Sequence, residues 1–206
     1  MLFFKKKKII INKFKWKYHI ENLQKKLRKS IFVLYHLGNC ATYDVLRQAY
    51  FSLAESYIRH GITAWGNVKY NSTLQKTQNS LLKILWKKHQ HYTNNNLINT
   101  NESYTHDTIN LAKSLNVLNI KNIYYTTIIK EFDNDTRFLK PIDHAHNTRI
   151  RSQGRFKVER FFNEYGRNTL PVALPTILNK IPTNIMNIKN NYKKYNEIKK
   201  YLISLQ

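Results

Sequence analysis

The chain has 206 residues, 42% hydrophobic and 13% aromatic, enough for one medium domain or two small ones with a packed core, so wholesale disorder is excluded. Lys and Arg outnumber Asp and Glu by 35 to 12, and a compact body with a formal charge of +23 repels itself unless a polyanion neutralises it. Nucleic acid is the first partner class for such a charge and an anionic membrane surface the second, while a single cysteine, Cys40, excludes an internal disulfide and any cysteine-based zinc knuckle.

No apolar run reaches the roughly 20 residues that a membrane-spanning helix needs; with nucleic acid ranked first, no membrane partner is assigned. Residues 1–15 form a basic arm. Its tetrad Lys5-Lys6-Lys7-Lys8 reads as a nuclear signal, as a nucleic-acid arm or as a frayed terminus. The lack of a disulfide framework is in keeping with a reducing compartment, nuclear or cytoplasmic, without choosing between them. Asn, Lys, Ile and Tyr are dense along the whole chain, a bias of AT-rich codons that accounts for part of the lysine excess.

A three-helix unit is expected over residues 16–90. Its first helix spans 16–37, with Ile20, Leu23, Leu27, Ile31, Leu34 and Tyr35 at helical spacing and Gly38-Asn39 as the stop. A second starts at Thr42, an N-cap followed by Asp44, and buries Val45, Leu46, Ala49, Tyr50, Leu53, Tyr57 and Ile58 before ending near Gly61. The third begins near Asn71 and turns Leu74, Gln78, Leu81, Leu82 and Leu85 inward and Lys83, Lys87 and Lys88 outward.

Residues 91–105 read as a polar linker around Asn94-Asn95-Asn96. A second helical unit follows over 106–206, with helical periodicity over 107–115, 119–132 and 187–205. Within it, Gly154, Gly166, Pro171, Pro175 and Pro182 punctuate short apolar pieces, and Phe156–Arg160 alternates as a strand does. The expected fold class is therefore mainly α: a helical bundle, then a helical unit with a β-hairpin-like insertion near 154–172.

Standard catalytic chemistry finds little to work with. The five glycines stand singly, so no phosphate-cradling loop is present. Asp133-Asn134-Asp135 reads as a solvated helix end in preference to a magnesium site. The pairs His89/His91 and His144/His146 lack the further ligands that zinc requires. No metal site and no cofactor are assigned to this chain.

Several short motifs nevertheless occur in an ordered series. Lys15-Trp16-Lys17-Tyr18-His19-Ile20 resembles the W-x-x-H-I box that opens the thumb of many non-LTR retrotransposon reverse transcriptases. The stretch from Ala49 to Ile62, followed by Trp65-Gly66, looks like that family's aliphatic helix and its Y-G-I-x-x-W-G turn, with His60 replacing the aromatic residue ahead of Gly61. The helix from Leu74 to Ile84, with Gln78, resembles L-x-x-x-Q-x-x-x-L-R-x-I, and Leu115–Ile120 is similar to L-x-x-L-x-I-x-x-L-Y. His144-Ala-His146-Asn147-Thr148-Arg149 looks like H-x-Y-N-T-R, with His146 in the tyrosine place. Gly166–Leu170 and Asn179-Lys180-Ile181-Pro182 match G-x-x-S/T-F and W-N-x-L-P, with Leu178 where the family has tryptophan.

The resemblance spans nearly the whole chain and implies the thumb and post-polymerase region of a LINE-type, jockey-like RNA-directed DNA polymerase. The magnesium-dependent palm, with its Y/F-A-D-D box, and the endonuclease would lie upstream, so this chain alone is expected to be inactive. A thumb holds a duplex by its backbone, without reading sequence, which implies RNA and RNA–DNA hybrid as partners beside an upstream palm. The candidate phosphate contacts are Lys15, Lys17, Lys25, Lys26, Arg28, Lys29, Arg47, Arg59, Lys87, Lys88, Arg149 and Arg151. Trp16, His19, Ile20, His60, Gly61, Trp65, Gly66, Gln78, Asn147, Thr148, Gly166 and Pro182 are expected to serve packing and turns. Two other readings of the same residues are a stand-alone basic helical RNA-binding protein and, third, a membrane-surface or host-interaction protein that uses basic amphipathic helices.

Overall fold

The computed structural model describes residues 16–67, 71–94, 108–132, 135, 137–142, 155–161, 166 and 168–206, with backbone alone for 91–94 and 108–110. The fold is mainly α. The helices are α1 (Trp16–Cys40), α2 (Tyr43–Tyr50), which runs on through a π-helical turn (Phe51–Glu55) into α3 (Ser56–Arg59), α4 (Ile62–Trp65), α5 (Asn71–Asn94), α6 (Thr108–Ser114), α7 (Ile120–Phe132), α8 (Leu170–Leu178), α9 (Thr183–Met186) and α10 (Asn191–Ser204). The chain divides into two compact units, one of Met1–Gly61 with Val68–Leu111 and the other of Ile62–Asn67 with Ala112–Gln206.

In the first unit α1 lies along α5, and α2 packs against both. The core is the apolar stripe of each helix: Ile20, Leu23, Leu27 and Leu34 from α1; Leu46, Tyr50, Ala54 and Ile58 from the second helical run; Leu74, Leu81, Leu82 and Leu85 from α5. Burial of such stripes removes apolar surface from water at about 25 cal/mol per Å², which is what holds short helices that would fray alone.

Two expected helix faces are corrected. Val45 and Tyr57 are exposed and Leu53 is half-buried, whereas Leu46, Tyr50, Ala54 and Ile58 line the core at four-residue spacing. A continuous α-helix drifts out of line at that spacing, but a π turn closes i→i+5 bonds and takes up one extra residue, which re-aims Ala54 and Ile58 inward. On α1, Tyr35 is exposed and Ser30 takes the inward place. The Ser30 hydroxyl lies within hydrogen-bond distance of the Leu53 carbonyl, at 3.3 Å, and of the Lys26 carbonyl, at 3.4 Å.

Nor does Gly38 end α1, which continues to Cys40, with Leu46 and Ile84 side chains beside the glycine. Gly61 is the residue whose freedom is required: its φ of 63° turns the chain sharply after α3, in a region that β-carbon-bearing residues rarely adopt.

In the second unit α7 is the central helix, with α4, α8 and α10 against it. Residues 62–65, which lie between the expected second and third helices, form the single helical turn α4, and Ile62 and Trp65 are both buried. Gly66 follows where a Cβ would overlap the Tyr124 ring and the Ile62 carbonyl, so the backbone approaches closer than any side chain permits. Asn122 on α7 is buried and donates through Nδ2 to the Leu202 carbonyl of α10 at 2.9 Å. α10 starts on a true cap, the Asn190 side chain accepting from the Lys193 amide at 3.0 Å.

The expected β-hairpin near 154–172 is not observed among the described residues. The 156–160 stretch makes one isolated antiparallel bridge, Phe156 to Pro141, and Leu170–Leu178 is helical. The proline-rich sequence is compatible with α8 because Pro171 sits in the first turn, where no intrahelical N–H is needed, and Pro175 forfeits a single bond while its ring is buried.

Candidate nucleic-acid interface

α1 carries five cations, Lys17, Lys25, Lys26, Arg28 and Lys29, against one carboxylate, Glu21. All five cations are exposed. The reason is local: Leu23, Leu27, Ser30 and Leu34 take the inward line, and residues turn about 100° apart around the axis, so the intervening cations face water. α5 adds Lys76, Lys83, Lys87 and Lys88 with no carboxylate in the helix. Lys83 and Lys87 are exposed and Lys88 is half-buried. These faces form strips of uncompensated positive potential, and ion pairs among the described residues lie elsewhere: Arg59–Glu55, Arg137–Asp135, Lys140–Glu159 and Lys200–Glu197.

The remaining candidates are differently engaged. Lys26 sits over the Tyr57 ring at 5.6 Å, a cation–π contact that leaves its ammonium at the surface. Arg47 is half-buried, stacked over Phe51 at 5.1 Å and donating to the Tyr43 hydroxyl at 3.3 Å. Arg59 spends its charge on Glu55, whose carboxylate is buried in the π turn and accepts from the guanidinium at 2.7 and 2.8 Å. A buried carboxylate without that partner costs several kcal/mol, so Arg59 is part of the unit's frame. Lys15, Arg149 and Arg151 lie outside the described residues, as do Asn147, Thr148, Asp133, His144 and His146.

The motif residues are found largely in packing positions. The Trp16 ring meets His19 edge to face at 5.7 Å, and Ile20 is buried. Burial, and after it the nearby charges of His60 and Lys26, hold the His19 imidazole below its usual value of 6.5. His60 itself is exposed at the end of α3. Gln78 is fully buried in the middle of α5, where its amide nitrogen donates to the Tyr50 hydroxyl at 2.9 Å and its oxygen accepts from Gln75 at 2.9 Å. Burial drives the Tyr50 phenol far above its usual range, so it stays neutral and polar inside the core. Gly166 is pressed against the Phe161 ring, and Pro182 caps the short α9.

Of the residues weighed for metal binding, Asp135 has both oxygens taken by Arg137, at 2.9 and 2.7 Å, which holds its carboxyl below the usual range. His89 stacks on Trp86 at 5.6 Å and meets Tyr43 at 4.8 Å. Among the described residues no three His, Cys, Asp or Glu side chains converge as a metal site, and no helix is long and apolar enough to cross a membrane.

Composition and spacing did not point to the aromatic content of the outward α1 face. Tyr18 is 71% exposed, Phe32 67% and Tyr35 59%, with Lys25 and Lys29 on the same side of the helix. The signal was available in the helix angle: Tyr35 is one residue beyond Leu34 and hence about 100° away from the buried line.

No protein-family model, curated protein or solved structure matches the chain.

Proposed function

We propose that this chain is a post-catalytic, nucleic-acid-holding part of a non-LTR retrotransposon reverse transcriptase, gripping RNA and RNA–DNA hybrid by the sugar–phosphate backbone and supplying no polymerase chemistry of its own. The observation that carries the reading is the outer face of α1, with five exposed cations against one carboxylate on a helix whose other face is locked into a core. A rigid helix bearing point charges suits a backbone, which repeats regardless of sequence, better than it suits base edges. The ordered motif series supports the assignment to this class. So does the work its residues do: Trp16 against His19, Gln78 on Tyr50, Gly66 under Tyr124. The thumb-like element is the first unit; the second unit carries a lysine-rich helix of its own, α10, in which Lys194 is buried.

Titration of labelled primer–template hybrid with the purified chain tests this, with phosphatidylserine-containing vesicles as competitor. The reading expects binding with little sequence preference, no primer extension with magnesium or manganese, and little competition by vesicles. Effective competition by vesicles, with helicity rising as they are added, would place the basic faces on a membrane surface instead.

A further inference from the structure

The outer face of α1 is not a plain cationic strip. Tyr18, Lys25, Lys29, Phe32 and His36 are all exposed and follow one another at intervals of seven, four, three and four residues, which keeps them within one narrow sector of the helix. That sector lies opposite Leu23, Leu27 and Leu34, the residues α1 commits to its own core. At its C-terminal end the rings form a cluster: Phe32 and His36 have centroids 4.3 Å apart, and Tyr35 meets His36 edge to face at 5.7 Å. Large exposed rings cost solvation free energy, and this cluster spends it on no contact that fills the core.

We infer that the Phe32–Tyr35–His36 cluster is a stacking platform for unpaired bases, so that α1 takes a single-stranded stretch of nucleic acid with its bases on the rings and its phosphates on Lys25, Arg28 and Lys29. This rests on the proposed nucleic-acid reading and adds to it, since a backbone grip on duplex needs no exposed rings. Stacking suits any base, because every base has a π face, and so it keeps the binding indifferent to sequence. The arrangement favours nucleic acid over a lipid surface. A helix that lies in a membrane interface gathers its apolar residues on one face and its cations on another. Here Lys25 and Lys29 share the sector of Tyr18 and Phe32, and the helix's apolar face is already buried.

The experiment compares the full chain's affinity for a short oligothymidine strand, an abasic strand of equal length and charge, a blunt duplex, and phosphatidylserine-containing vesicles. Wild-type protein is expected to prefer the base-bearing strand over the abasic one by about tenfold or more. The Phe32→Leu, Tyr35→Leu double variant, apolar but without rings at exposed positions, should lose that preference with its helicity intact. Tyr35→Phe should keep it. Equal wild-type affinity for base-bearing and abasic strands, or an unchanged preference in the double variant, would overturn the inference. So would a loss in the double variant confined to vesicle binding. If duplex still binds with steep salt dependence in those cases, only the platform falls; if neither strand nor duplex binds, the nucleic-acid reading falls with it.

Discussion

Asn179 holds Phe156 by both of that residue's backbone polar groups: its Oδ1 accepts from the Phe156 amide at 2.9 Å, and its Nδ2 donates to the Phe156 carbonyl at 2.8 Å. The side-chain amide thus does for the 156 strand-like stretch what a neighbouring strand does in a sheet, while Lys157 donates to the Lys140 carbonyl at 2.9 Å on the other side. A single asparagine at the end of α8 replaces the expected hairpin partner. Asn179→Asp keeps the size and the acceptor but loses the donor, and sets a carboxylate against a carbonyl. The cost is expected to be about 1–3 kcal/mol, read as a lower melting midpoint. A midpoint equal to wild type would show that water serves Phe156 as well.

The π turn makes a sharper prediction about the first unit. Ile58 is fully buried and Leu53 half-buried, although an uninterrupted α-helix from Thr42 would bury Leu53 and Tyr57. Ile58→Ala should destabilise by about 2–5 kcal/mol and Leu53→Ala by clearly less. Denaturant melts of the two variants decide it. The reverse order would mean the helix runs through residues 51–55 without the extra residue.

These two places also mark how far the fold can be read from residue order. α5 is the most legible helix: Leu74, Gln78, Leu81, Leu82 and Leu85 face inward as the 3.6-residue period requires, and Lys83 and Lys87 face out, while Lys88, expected outward, is half-buried. Ile20, Leu23, Leu27 and Leu34 of α1 are equally plain. The second helical run is legible only in part, at Leu46, Tyr50 and Ile58, because a π turn shifts the period by one residue and leaves no composition of its own. α8 is hidden by Pro171 and Pro175, which read as breaks until their places in the helix are known. At the candidate interface the charges are evident from composition. That Arg59 is committed to Glu55 depends on which face of the π turn is buried, and that Phe32 and Tyr35 lie outside follows only once the core line through Leu27 and Leu34 is fixed.

His19 supplies a pH dependence. In the unfolded chain its imidazole takes up a proton near its ordinary value of 6.5; in the fold it is held lower, first by burial and then by His60 and Lys26. Between the two values the unfolded state binds more protons, so the contribution of this group is fully present above about 6.5 and is lost as pH falls through the lower folded value. The melting midpoint of wild-type protein should therefore drop on acidification below pH 6.5 more steeply than that of His19→Gln. Parallel curves would mean that His19 is as free to protonate in the fold as out of it.

The central claim is that the outer face of α1 neutralises nucleic-acid phosphates, and its most direct test is a slope. Binding of labelled primer–template hybrid should weaken with salt by about 0.9 log units per phosphate contact per tenfold increase. Replacing Lys25, Lys26, Arg28 and Lys29 together by glutamine should flatten that slope by about 0.9 for each residue that meets a phosphate, with helicity unchanged because all four are exposed. A slope identical in wild-type and quadruple-variant protein, or an affinity indifferent to salt in both, would contradict the account.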